Sequence, residues 1–314
     1  MPKLKGDIKM AFTAKDVAEL RKQTGCGMMD CKKALTESNG DFEAAVKYLR
    51  EKGMAATAKK ADRIAAEGLV DVMTVGNTTA IVEVNSETDF VAKNATFQSF
   101  VKDVLKSIIA AKPADVEALL AAKFADTDAT VSEALAENIY KIGEKISIRR
   151  FQIVEGTVST YVHGLGATGV IVSFDTDVAD KDGFAEFAKN VALQTAAMTV
   201  LYLDRDSVPA SVLEEEKAIL LKQMSEDPKM ANKPQQVLEN IVKGKLGKYY
   251  ETNCLVEQTY VKDDSMTVRK YAETTAKALG GSIKITGYVR FDKGEGLQKR
   301  EEDFAAEIQK MVQG

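Results

Sequence analysis

From Thr13 to about Gly53 the apolar positions fall at helical spacing, in runs punctuated by glycine. Val17 and Leu20 give the first run its apolar stripe, Thr13 with Asp16 three residues on is a capping pattern, and Gly25 ends it. Met28, Met29 and Leu35 mark a second helix that stops at Gly40, and Phe42, Ala45, Val46 and Leu49 space a third at i, i+3, i+4 and i+7. Three short helices bury little apolar surface, so a module over 10–54 is expected to be only marginally stable alone. The Ala-rich stretch over 55–67, with Lys59, Lys60 and Arg63, is expected as a linking helix.

Beyond it the pattern changes period and then repeats. Val82 and Val84 match Val170 and Val172, Gly76 matches Gly164, and Thr88-Asp89 matches Thr176-Asp177, all at the offset of 88 residues that separates Gly68 from Gly156. After that pair the offset falls to 87: Val91-Ala92 matches Val178-Ala179, and Phe97 and Phe100 match Phe184 and Phe187. The unmatched residue is best placed at Phe90. Each copy opens with two β-branched runs around a glycine-containing turn, a hairpin signal, and continues into a helix. In the first copy that helix shows the stripe Phe97, Phe100, Val101, Val104, Leu105, Ile108.

A third strand, Ile146 to Phe151, closes the first unit (68–154), and Ile283 to Phe291 closes the second from far along the chain. The second unit is therefore expected in two pieces, 155–206 and 259–297, interrupted by a helical hairpin over 207–258 that carries runs such as Val212 to Lys217 and Val237 to Val242. Phe304 to Val312 reads as a C-terminal amphipathic helix within 298–314. The fold class is α+β: a three-helix module, two repeated subdomains each with a three-stranded antiparallel sheet and helices, an inserted coiled-coil hairpin, and a C-terminal helix. Residues 1–9, upstream of a second methionine at Met10, read as an extension or an alternative start.

Composition narrows the partners. With 43 Lys+Arg against 47 Asp+Glu the chain has a net charge of −4, and it lacks the clustered basic excess that holds a nucleic-acid backbone. Cys26, Cys31 and Cys254 make an odd set with only one histidine, His163, to help them, so they read as buried, inert thiols in a reducing, cytoplasmic setting rather than as a metal site. No run of 18 uncharged apolar residues occurs, and no membrane association is expected.

Two strings invite a ligand and do not sustain one. Gly164 to Gly169 spells GxGxxG, but the fingerprint needs a helix after its third glycine so that a pyrophosphate meets the helix N-terminus, and Val170 to Phe174 reads as a strand. No GxxxxGK[ST] phosphate loop is present, and His163 beside Gly164 has no nucleophile paired with it. Cofactors and catalytic residues are expected to be none. The stretch Val84 to Asn94 stands out because polar turn formers surround one large aromatic, Phe90, where strand gives way to helix. Two readings stay open there: a hydrophobic staple, with Thr88 or Asp89 capping and Phe90 folded back, or an exposed aromatic. Omission of that aromatic from the second copy favours the latter.

Several long motifs in order resemble the bacterial translation elongation factor Ts family. They are Leu20 to Leu35, Lys59-Lys60 with Ala65 to Gly68, Glu87 to Lys93, Ile142 to Arg150, Glu257 to Asp263 and Val289 to Gly296, and the resemblance covers the chain from Met10 onward. It implies a guanine-nucleotide exchange factor for elongation factor Tu, with the N-terminal module resembling a ubiquitin-associated domain and no bond chemistry of its own. It also implies a heterodimer with that partner, a 2:2 assembly being the alternative. The segment Thr88, Asp89, Phe90 and Val91 would dislodge magnesium in the partner, while Leu20, Met28 and Met29 would dock the module. Some members carry a partner-contacting histidine where this chain has Gln194, which the resemblance would make a further docking residue. A protein-binding module of the ubiquitin-associated type, without exchange activity, is the alternative reading.

Overall fold

The structure, a computed structural model, describes residues 12–227 and 233–298. The described residues divide into two compact units, one of 12–73, 82–153 and 292–298, the other of 74–81, 154–227 and 233–291. Three helices open the first: α1 (Ala14–Thr24), α2 (Met28–Glu37) and α3 (Phe42–Lys60). The capping box between Thr13 and Asp16 starts α1, and Gly25, at φ +67°, ends it in the left-handed region that glycine enters without a Cβ clash. Phe12, Val17, Leu20, Cys26, Cys31, Ala34, Leu35, Ala45 and Leu49 form one buried cluster between the three helices.

Strand β1 (Glu67–Val75) and strand β2 (Thr78–Ser86) follow, then the one-turn α4 (Asp89–Ala92), α5 (Ala95–Ala111), α6 (Val116–Ala121), α7 (Val131–Ile142) and β3 (Ile146–Glu155). The sheet order is β1-β2-β3, with β2 in the centre and buried along nearly its whole length. That burial includes Glu83, whose carboxylate is fully enclosed and accepts from Arg149 at 3.1 Å, Arg150 at 2.6 Å, Asn85 at 3.0 Å and the Gly294 N–H at 2.7 Å. Burial alone would raise its pKa; the four donors outweigh it and hold the carboxyl below its ordinary value. Helix α5 buries the stripe the sequence predicts, Phe97 through Ile108.

The second unit contains β4 (Thr157–His163), β5 (Thr168–Thr176), α8 (Phe184–Ala197), α9 (Ala210–Glu226), α10 (Gln235–Asn253), a 3-10 turn at Leu255–Glu257, the short β6 (Thr259–Tyr260) and β7 (Asp263–Thr267), α11 (Val268–Leu279) and β8 (Ile283–Asp292). Its three-stranded antiparallel sheet runs β4-β5-β8. Phe184, Phe187 and Val191 of α8 pack on Val170, Val172 and Phe174 of β5. The interrupting helices meet through Leu220, Met224 and Val242, with Leu238, Ile241 and Leu246 at the margin.

The duplication reaches further than the sequence reading took it. Helices α7 and α11 are both 12 residues long, start at Thr130 and Thr267 and end at left-handed Gly143 and Gly280. Each leads within three residues into the third strand of its sheet, at Ile146 and Ile283. All three pairs share an offset of 137 residues, which absorbs the inserted helices. Helices were expected in each subdomain, but these two were not placed on their residues, and the β6–β7 pair was not expected. A second difference lies at 55–67. No separate linking helix forms there: α3 continues unbroken to Lys60 and a turn leads into β1. Helix α3 runs through Gly53, where a Cβ would stand 3.0 Å from the Ala136 carbonyl of α7, so the glycine permits that close approach. The expected C-terminal helix, Phe304 to Val312, and residues 1–9 lie outside the described residues.

Candidate functional site

The turn after β2 is built by its ends. Ser86 Oγ donates to the Thr88 carbonyl at 2.9 Å, while the Thr88 N–H and Oγ1 donate to the two carboxylate oxygens of Glu144 at 2.9 and 2.7 Å. In return the Lys145 N–H donates to Glu87 at 2.6 Å, and Arg63 reaches the same carboxylate at 3.2 Å. Adjacent pairs, Glu87-Thr88 and Glu144-Lys145, thus exchange carboxylate-to-backbone bonds across two loops. Charge-assisted bonds of this kind are about twice as strong as neutral ones.

Thr88 is extended at the N-cap of α4 and makes no side-chain cap bond; its hydroxyl donates to Glu144. The staple reading therefore fails, and Phe90 is 77% exposed. Its neighbours Val91 and Ala92 are buried, and Asn94 caps α5 through the Thr96 N–H at 2.8 Å. One helical turn between a carboxylate clamp and a capped helix thus turns valine inward and phenylalanine outward. Lys93 lies 5.6 Å from the Phe90 ring centroid and 2.7 Å from Asp89, and its hydrogen bond holds the exposed Asp89 carboxyl below its ordinary range.

Phe90, Val91, Asn94 and Thr96 line an open groove whose other wall is Lys22, Gln23 and Gly25 at the end of α1, with Lys141 and Ile142 at the end of α7. The two charged groups on this wall are lysines, so the groove pairs one protruding aromatic with positive charge. Met28 and Met29, at the start of α2, are 48% and 73% exposed. Two of the expected contact residues are not on the surface. Leu20 is fully buried in the three-helix core, where its place in the apolar stripe puts it. Gln194 is fully buried on α8: its amide nitrogen donates to Gln258 Oε1 and the Thr259 carbonyl at 3.2 Å each, and its oxygen accepts the Val261 N–H at 2.8 Å. With both donors and the acceptor engaged, it holds the β6 segment to α8.

The remaining sequence candidates are structural. All three cysteines are free and buried, and burial pushes the thiols of Cys26 and Cys254 up, the latter to about 11. Gly164 to Ala167 turns β4 into β5 without a helix, and His163 accepts or shares a proton with Tyr161 Oη at 3.0 Å. Among the described residues no group of three His, Cys, Asp or Glu side chains could hold a metal ion, and no helix is long and apolar enough to cross a membrane. Glu144 was missed as a site residue; its signal was its place between a helix-ending glycine and a strand, one side chain from the turn it clamps.

A family model described as Elongation factor TS matches residues 87–295 of this chain. Among curated proteins, an elongation factor Ts from Syntrophotalea carbinolica is 47% identical over 306 residues, covering 96% of this chain and all of the relative. One from Clostridium kluyveri is 46% identical over 309 residues, covering 96% and 99%, and one from Magnetococcus marinus is 43% identical over 308 residues, covering 97% and 100%.

Proposed function

Because the chain belongs to the elongation factor Ts family, and is on that ground a translation elongation factor, we propose that it is a guanine-nucleotide exchange factor for elongation factor Tu. The observation that carries the reading is Phe90, held out at 77% exposure by a turn that is fixed on both sides. Magnesium demands near-octahedral oxygen coordination and bridges the phosphates of a bound nucleotide, so a small displacement of the partner loop that supports it weakens the nucleotide steeply. Burying one phenylalanine is worth about 1.5–3 kcal/mol, comparable to a typical coupling of ~1–3 kcal/mol between two sites. Phe90 is the wedge, Asp89 faces the magnesium site, and Thr88 and Val91 hold the two in place.

Met28 and Met29 supply a second, apolar contact from the helical module, and the division into helical module, two sheet subdomains and inserted hairpin serves as the map of the complex. The chain makes and breaks no covalent bond, works in the cytoplasm as a heterodimer with elongation factor Tu, and uses neither a cofactor nor nucleic acid. Coupling is reciprocal, so GDP weakens the binding of this chain by the factor by which this chain weakens GDP, and entry of new nucleotide releases it. The test is release of a fluorescent GDP from elongation factor Tu on rapid mixing: the chain accelerates it in a concentration-dependent way, and release at the intrinsic rate contradicts the proposal.

A further inference from the structure

We propose that Glu144 is the positioning residue of exchange: its carboxylate, gripping the Thr88 N–H at 2.9 Å and the Thr88 hydroxyl at 2.7 Å, sets where Phe90 stands when the partner is engaged. The inference rests on the reading of Phe90 given above. Phe90 is 77% exposed with Lys93 above the ring, so little burial holds the side chain in place. Its direction is therefore decided by the backbone, and the backbone is decided at Thr88, two residues earlier, where β2 ends and α4 begins. Glu144 accepts both hydrogen bonds that Thr88 offers there, and Lys145 returns one to Glu87. Lys145 is itself anchored, its ammonium donating to the Ala61 and Arg63 carbonyls.

The duplicated copy shows what the turn is without this grip. Gly281 occupies the place of Glu144, one residue after the helix-ending glycine in each copy, and a Cβ there would stand 2.4 Å from both Asp177 Oδ1 and Val178 Cγ1. In that copy the threonine hydroxyl donates to the Ser282 carbonyl at 2.7 Å, and the aspartate turns back to accept the Ser282 N–H at 2.7 Å. The copy with no projecting aromatic thus closes by direct packing on glycine. The copy with one uses a carboxylate as a spacer, which leaves Asp89 and Phe90 free to face outward.

Exchange assays on the full chain with elongation factor Tu and fluorescent GDP test this, reading separately the release rate at saturation and the concentration at half-saturation. Glu144→Ala, which removes the acceptor of both Thr88 bonds, is expected to lower the saturating rate about tenfold and to leave half-saturation within about twofold. Glu144→Gln, which keeps an acceptor for the Thr88 N–H and offers its amide to the hydroxyl, restores most of the rate. Thr88→Val, which deletes only the hydroxyl bond, gives a smaller loss and serves where Glu144→Ala does not fold. In a Phe90→Ala background, Glu144→Ala causes no further loss. An unchanged saturating rate in Glu144→Ala and Thr88→Val, with Phe90→Ala slow, overturns the positioning role alone. An equal further loss in the Phe90→Ala background also overturns it, because Glu144 would then act elsewhere. If Phe90→Ala itself exchanges normally, the reading of Phe90 fails first.

Discussion

The turn after β2 and the turn after β5 begin with the same Thr-Asp pair and end in opposite environments. In the second copy Asp177 is followed directly by Val178, which is 3% exposed in the cluster of Val172, Phe174 and Phe184. In the first, Phe90 stands between Asp89 and the equivalent buried Val91, and the chain makes one helical turn to accommodate it. Both copies keep the valine that anchors the turn to the core, so the extra residue carries no packing duty. Asp177 is bonded by the Ser282 N–H, which lowers its pKa, whereas Asp89 accepts from the exposed ammonium of Lys93, four residues on. A duplicated fold thus contains its own control: one turn closed on itself, and one opened by a single insertion to present an aromatic and a carboxylate to solvent.

The contrast breaks most severely in the closed turn. Val178→Asp buries an unpaired carboxylate and is expected to cost about 3–5 kcal/mol, lowering Tm by about 10 °C, while Phe90→Asp leaves the calorimetric melt in place. A comparable melt for the two variants would mean that the turns do not differ in burial. Gly281→Ala comes next, since a Cβ 2.4 Å from Asp177 and Val178 forces the turn apart at about 1–3 kcal/mol. Its counterpart test, Gly143→Ala, meets nothing within 4 Å and costs only the left-handed backbone penalty at φ +85°, about 1 kcal/mol by chemical denaturation. The smallest effect is at Lys93. Asp89 has a folded pKa below its unfolded value, so its pairing favours the folded chain above the unfolded carboxylate range and that contribution fades as pH falls through the folded pKa. Lys93→Ala should raise the Asp89 titration midpoint, followed by carbon-detected NMR, with Tm unchanged; an unmoved midpoint would show that Lys93 does not hold the carboxylate.

Much of this was legible in the residues. The change from helical to strand period, the copies related through Gly68 and Gly156, and the outward Phe90 all follow from alternation and self-comparison. Locally, however, Thr88-Asp89-Phe90 fits a capped, stapled helix equally well; what excludes that is Glu144, a residue 56 positions away. Helices α7 and α11 escaped notice because the inserted pair α9 and α10 breaks the constant offset that exposes the rest of the repeat. Leu20 and Gln194 were placed on a contact surface by resemblance, although Leu20 already belonged to an apolar stripe with Val17; burial settles both. Gln194 in particular is polar in the sequence and interior in the fold, because its three partners come from 64 to 67 residues away.

The central claim is that the inserted residue of the first turn serves a partner and not the fold. Stopped-flow release of fluorescent GDP from elongation factor Tu, with the original chain and Phe90→Ala compared at saturating concentration, tests it most directly, provided the two melting curves are recorded on the same samples. The account predicts release slowed at least several-fold with coincident melts, consistent with losing about 1.5–3 kcal/mol of aromatic burial on the partner. Equal release rates, or a melt that falls with the rate, would contradict it.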